Sequence, residues 1–355
     1  LGEVSIVINL SATGIRLSFD LQLGLIESFC VNDGGTEISP LHRAPWVGTG
    51  EAMPEGIAPH LEKLGGDFFC APFGATEGAS PLHGWPPNSR WVLKKKTENY
   101  LRAELEKTVY GARLQKEITL RPGHPFVYQR HTFIGGDGLV PVANHANVSL
   151  PNGGIIQTSR KQCWRTPQTP LEVDPSLGHS ALKYPAESDT LTSFPGMGDE
   201  LDLSHYPWSS KSEDFVVGLE PPEVKLGWTA VIRPEEGDIF LSLKSAQALP
   251  MTMLWHSNGG RYYAPWSGRH FACLGVEEGA ASTVLGTDEN GFPNGLGVIQ
   301  LVPDGQVEIS HVVGAFRWRD GSGVSAIETK KDQLLIRNTK SEEFLLPFDL
   351  QALGI

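Results

Sequence analysis

Three short segments of this chain place reactive side chains against apolar, strand-like residues. "SPLHGWPPNSRW" (80–91) carries His83 on a loop stiffened by Pro86 and Pro87. "VANHANVSL" (142–150) carries His145 in or beside a strand. "FACLGVEEG" (271–279) runs from a hydrophobic strand into Glu277 and Glu278 and stops at Gly279. Carboxylates at the end of an apolar strand lose solvation, so their pKa rises toward neutrality. A histidine and a raised glutamate facing one cleft form an acid–base pair. Each has a plainer reading. Most of the 11 histidines are expected to be surface or satisfied core groups, and Glu277 could pair with Arg269 or Arg261.

The elements that must hold these residues read as strands. Forty Gly and 26 Pro punctuate the sequence, and between them lie short runs alternating apolar and polar residues. "RAELEKTV" (102–109), "ARLQKEITLR" (112–121) and "PFVYQRHTFIG" (125–135) predict successive antiparallel strands. Others fall at 4–10, 14–31, 140–150, 224–233, 238–244, 252–257 and 270–277. "LGVIQLV" and "GQVEISHVVGAF" flank "PDG" as a hairpin. Helical spacing is confined to "IAPHLEKLGG" (57–66), with Gly65 as its stop. The prediction is an all-β fold, a large sandwich of two twisted antiparallel sheets. Residues 158–214, rich in Pro, Ser and Thr but holding Trp164, Tyr184, Phe194, Tyr206 and Trp208, are expected to form an ordered excursion that walls a cleft. No linker divides the chain, so 1–355 is read as one domain.

Bulk properties narrow the function classes. The 355 residues carry a net charge of −12, which argues against a phosphate-backbone partner, so no nucleic acid is expected. No apolar run is long enough for a transmembrane helix, and the first residues lack the basic start of a signal peptide. Four scattered cysteines without a CxxC pair predict free buried thiols and a cytoplasmic protein, not a zinc ribbon. "TDENGFPNG" (287–295) lacks the alternating acidic ligands of a calcium loop and reads as a hairpin loop. A monomer or a homodimer is compatible with the strand edges.

The ordered set "PLHGW", "NHANVSL" and "CLGVEEG" resembles the galactose mutarotase-like superfamily, the aldose 1-epimerases and hexose-6-phosphate mutarotases, over about residues 14 to 317. That resemblance implies a large β-supersandwich and acid–base ring opening of a sugar, with no metal and no organic cofactor. Matched segment by segment, it makes Glu277 the base, with Glu278 the fallback. It makes His145 the acid and His83 a donor to the ring-oxygen or O1 region. Candidate substrate contacts are Trp85, Asn88, Arg90, Asn144, Trp255 and His256. Trp164 and Trp266 also suit a sugar cleft, because aromatic faces stack on pyranose C–H faces. "LWHSNGGRYYAPW" (254–266) could project Arg261 and its tyrosines into the same cleft. Two departures bear on the substrate. Pro87 stands where the phosphate-binding arginine of the hexose-6-phosphate mutarotases would be, which predicts an unphosphorylated sugar. No "D-H-x-F"-like aspartate occurs between 200 and 260, which points away from plain galactose or glucose. The alternatives are a non-catalytic carbohydrate-binding protein on the same fold, or another carbohydrate-active enzyme such as a lyase.

Overall fold

Alternating side chains build two large sheets with one core between them. The computed structural model describes residues 7–75, 80–286 and 292–355. An eleven-stranded sheet places Asp67–Cys70, Val142–Ser149, Cys273–Ala280, Met251–Asn258 and Ser212–Leu219 side by side at its centre. A nine-stranded sheet centres on Leu226–Arg233, Asp238–Ser245, Gln306–Arg317 and Phe126–Ile134. These neighbours pair antiparallel.

The strand period of two sorts residues between layers. Val142, Ala146 and Val148 join the core between the sheets, with Leu114, Val127 and Phe240. Ala143 instead joins Phe68, Met253 and Trp255 on the outer face of the eleven-stranded sheet. A third cluster packs Trp228, Leu241 and Phe316 against Ile327, Leu334 and Ile336 of a small C-terminal sheet. The central strands are therefore covered on both faces, and all eight residues of Cys273–Ala280 are buried.

Several local expectations change. The α-helix among the described residues is only Pro59–Glu62, because the chain leaves helical geometry at Lys63 and turns back through Gly65 toward Asp67–Cys70. "PDG" does turn, with Gly305 N–H donating to Val302 O, but its arms do not pair. Gln306–Arg317 already has Phe126–Ile134 and Asp238–Ser245 on its two edges, so Ile299–Leu301 pairs with Gly138–Val140. The strand expected at 270–277 begins at Cys273 and continues through Gly279 to Ala280. Within 158–214, short strands such as Cys163–Arg165 and Glu187–Ser188 extend the eleven-stranded sheet, while Phe194, Leu203 and Trp208 enter the main core. The first strand is described from Val7, and the "TDENGFPNG" segment falls partly outside the described residues. All four cysteines are free and buried. No helix among the described residues is long and apolar enough to cross a membrane.

Candidate active site

Sheet register brings the candidate acid–base residues together. His145 lies opposite Glu277 on one side and Phe68 on the other, and Glu277 lies opposite Met253. The row faces outward from the eleven-stranded sheet into a cavity of about 640 Å³, within the range of small-molecule sites. Glu278, the next residue on the strand, faces inward. Its carboxylate accepts from Thr229 and Thr252, each at 2.7 Å, and lies 2.6 Å from Lys244 Nζ. Adjacent glutamates thus have separate environments because successive side chains leave a strand on opposite faces.

His145 Nε2 is 3.2 Å from Glu277 Oε1. The imidazole stacks on Phe68 at 4.5 Å between ring centroids. Burial lowers the His145 pKa to about 3 and pushes Glu277 well above the usual carboxylate range. His145 Nδ1 and Glu277 Oε2 are buried without a partner. Such orphaned atoms beside a cavity are the groups that a bound polar ligand would satisfy.

His83 approaches from the loop, with its ring 5.5 Å from that of His145. Its Nδ1 accepts from Gly74 N–H at 3.3 Å, so in the neutral ring the proton sits on Nε2, which becomes a donor. Burial, reinforced by His60, His145 and Arg261, holds its pKa well below the ordinary value, so it is neutral at pH 7. The His-Gly pair has a backbone reason. His83 has φ 65 and Gly84 φ 74, and a Cβ on Gly84 would lie 2.1 Å from Ala71 O. The left-handed turn at this close approach excludes a side chain at 84.

His60 also lines the cavity, and the sequence reading did not single it out. It sits in the short helix Pro59–Glu62, where the apolar spacing of Ile57, Leu61 and Leu64 is the local signal and a single histidine adds none. His60 is held by Asn88, whose Oδ1 accepts from His60 N at 3.0 Å and pairs with Nδ1 at 2.9 Å. Asn88 Nδ2 donates to Leu82 O at 2.8 Å and Gly84 O at 2.7 Å. Every side-chain hydrogen-bonding group of Asn88 is therefore spent inside the protein. Asn88→Ala is expected to lower stability by about 2–3 kcal/mol by leaving buried groups unpaired. A urea unfolding curve measures this, and an unchanged midpoint contradicts it.

Other sequence candidates lie elsewhere. Trp85 starts the 3-10 turn Pro86–Asn88, which lays its ring against the main core, with Lys107 Nζ 5.3 Å from the ring centre. Arg90 is exposed near Glu106 at 3.9 Å, just before the edge strand Trp91–Lys96 of the other sheet. Asn144 is opposite Glu278 and shares its inward face. His256 also faces inward, stacked on Trp208 at 4.3 Å, and Trp164 is in the main core. Trp255, by contrast, lines the cavity with Arg261, Tyr263 and Trp266. Pro167, Thr169, Pro170 and Leu171 of the 158–214 excursion line it too.

Glu213 anchors this wall from behind. Trp255 Nε1 donates to its Oε1 at 2.6 Å, Ser257 Oγ donates to its Oε2 at 2.9 Å, and Arg261 Nε is 3.5 Å away. Burial raises the Glu213 pKa to about 7 against the lowering effect of Arg261. Glu213 is legible only in three dimensions, because it stands in a strand of otherwise ordinary pattern. Gly275 gives the catalytic candidates room. A Cβ there would lie 2.9 Å from Glu277 Oε1 and 2.9 Å from Trp255 Cβ. Gly275→Ala is therefore expected to displace Glu277 and lower turnover at least about tenfold, since small misplacements are costly in acid–base sites. Steady-state kinetics beside a circular dichroism melt separates this from unfolding.

No protein-family model matches the sequence, and no curated protein matches it. Solved structures do. An Escherichia coli K12 protein provisionally called an aldose 1-epimerase aligns with 88% of this chain and 100% of its own, at 16% identity and TM-score 0.58. The galactose mutarotase related enzyme of Lactobacillus acidophilus covers 89% and 99%, at 11% identity and TM-score 0.55. A galactose mutarotase-like protein from Lactobacillus casei covers 87% and 100%, at 11% identity and TM-score 0.50. The chain has the fold of the galactose mutarotase-like proteins. At these identities the likeness is one of architecture, and function lies in the residues of the site.

Proposed function

We propose that this protein is an aldose 1-epimerase-like enzyme that interconverts the α and β anomers of an unphosphorylated sugar. The observation that carries the reading is the convergence of His83, His145 and Glu277 on one cavity, with Nε2 of His145 3.2 Å from Glu277. Trp255, Trp266 and Phe215 supply aromatic faces for the apolar side of a pyranose. His60 and Arg261 supply polar groups for its hydroxyls.

Ring opening moves two protons. Glu277 as carboxylate takes the proton of the O1 hydroxyl, O1 becomes the carbonyl oxygen, and the C1–O5 bond breaks. His145 as imidazolium gives its Nε2 proton to O5. The pair passes from charged to neutral, the direction that burial favours for both groups. His83 donates from Nε2 to the developing charge. Rotation about C1–C2 and the reverse transfers close the ring on the other face. A pair that works only when it holds one shared proton gives a bell-shaped pH profile with pKa values belonging to the pair.

The test is NMR saturation transfer between anomers of a panel of aldoses. Exchange accelerated by the protein for at least one unphosphorylated sugar is expected. Binding without accelerated exchange would make the protein a sugar-binding relative, and products absorbing in the near ultraviolet would indicate a lyase. The four free buried thiols suit a reducing compartment, so we place the protein in the cytoplasm, as a monomer or homodimer whose single domain carries one site walled by the eleven-stranded sheet and the 158–214 excursion.

A further inference from the structure

Behind the Trp255 wall lies a cluster that the sugar cavity does not use. His42, His270 and Cys273 are 8%, 2% and 0% exposed. One ring nitrogen of each histidine and Cys273 Sγ all lie within 4.8 Å of one another. The two imidazoles meet edge to face at 4.9 Å. Their backbones are anchored independently. His42 N–H donates to Asn147 O, Gly259 N–H donates to His270 O, and Cys273 N–H donates to the Tyr206 hydroxyl. None of the three lines the cavity.

Hydrogen bonding sets the His270 tautomer. Ser257 Oγ gives its only proton to Glu213 Oε2 at 2.9 Å and lies 2.7 Å from His270 Nδ1. With Glu213 as the carboxylate, the hydroxyl oxygen accepts from Nδ1–H, and in the neutral ring Nε2 keeps a bare lone pair. That Nε2 is buried without a partner, and so is Nε2 of His42. A buried polar atom left unpaired costs about 1–3 kcal/mol, and here two belong to neighbouring rings. Cys273 Sγ has only a long contact, 3.9 Å to Asn147 Oδ1. A carboxylate acting through a second group to fix a histidine tautomer is the outer-shell arrangement that metal-binding histidines use. Trp46, Trp255 and Trp266 surround His270, with ring centroids 5.3, 5.7 and 5.1 Å from it, and exclude competing water.

We propose that His42, His270 and Cys273 form a three-ligand site for Zn²⁺ or a similar borderline divalent transition metal, with one coordination position open. Tetrahedral Zn–N and Zn–S bonds place donors about 3.3–3.7 Å apart, so the three side chains close by about 1 Å on binding. Binding releases the Cys273 thiol proton to solvent and leaves a thiolate ligand. Through Ser257 and Glu213 the metal also bears on Trp255, whose Nε1 donates to Glu213. The metal is then a brace for the cavity wall, separate from the sugar chemistry, and it departs from the sequence-based expectation of no metal.

The test titrates chelator-treated full-length protein with Co²⁺ alone. The expected result is saturation at one equivalent, with a thiolate-to-cobalt charge-transfer band and d–d bands of tetrahedral intensity, both removed by Zn²⁺. Cys273→Ser abolishes the charge-transfer band, and His42→Gln weakens binding at least about tenfold. Cys163→Ser, on another strand, changes neither. Excess Zn²⁺ raises the melting temperature of the wild type by more than that of His42→Gln, a readout that stands if Cys273→Ser fails to fold. Absence of one-equivalent binding overturns the proposal, as does a charge-transfer band that survives Cys273→Ser or disappears in Cys163→Ser. Glu277→Gln binds Co²⁺ like the wild type, so loss of the sugar reading and loss of the metal site are distinguishable.

Discussion

Glu277→Gln is expected to abolish anomer exchange while making the protein more stable. The amide keeps the size of the side chain but cannot accept the O1 proton, and losing a positioned general base lowers turnover by about 10²–10⁴. The stability effect has the opposite sign because the carboxyl is buried and its pKa is raised well above 4.5 by that burial. Below the unfolded-state pKa both states hold the proton and the group is neutral in its effect. As pH rises above that value the unfolded chain ionises first, so the folded protein loses stability until the raised folded pKa is passed. Glutamine removes this penalty. A gain of about 1–2 kcal/mol at pH 7 that vanishes near pH 4 is the expected difference between variant and wild type in urea unfolding. Retained exchange, or a variant less stable at pH 7, contradicts the assignment.

Glu278→Gln, one residue along, is expected to leave the cavity intact and destabilise the fold. Glu278 belongs to a cluster between the sheets in which Lys244 Nζ lies 2.6 Å from Glu278 and 3.2 Å from Glu220, and Lys161 Nζ lies 2.6 Å from Glu220. Lys244, Glu220 and Glu278 have fully buried side chains. Burial by itself would raise the Glu278 pKa, but the Lys244 and Lys161 charges and the hydrogen bonds from Lys244 and Thr229 hold it down at about 2. Neutralising it leaves two buried ammonium groups facing one carboxylate, and breaking a buried pair in this way costs about 3–5 kcal/mol. The pH sign is the reverse of that at Glu277. A depressed folded pKa contributes stability that is complete above about 4.5 and is lost as pH falls toward about 2. Urea unfolding at pH 7 and pH 3 measures both. A variant as stable as wild type at pH 7 refutes the argument. Replacing Lys244 with Met together with Glu278→Leu should recover part of the loss, because an apolar pair of similar volume needs no charge partner.

The behaviour of these adjacent glutamates separates what was legible in the sequence from what was not. The all-β architecture was legible, because strand alternation and Gly–Pro punctuation are local signals. His83, His145 and Glu277 stood out as candidates, because each stands in a short segment whose residue types are unusual for its context. The sequence alone could not choose between Glu277 and Glu278, since a shift of one residue reverses the face of every side chain. The antiparallel register sets Glu277 opposite His145 on the cavity face and turns Glu278 inward. Asn88 and Trp85 looked available for a ligand because composition does not reveal hydrogen-bond partners. The left-handed turn at His83–Gly84 commits Asn88 to His60 and backs Trp85 against the core. His60, Glu213 and Arg261 stand 153 and 48 residues apart along the chain. Only the pairing of distant strands brings such residues to one wall. Local patterns determined which elements form and which residues could react. Long-range pairing decided which of those residues share a cavity, because a side chain's surroundings depend on strands far away in sequence.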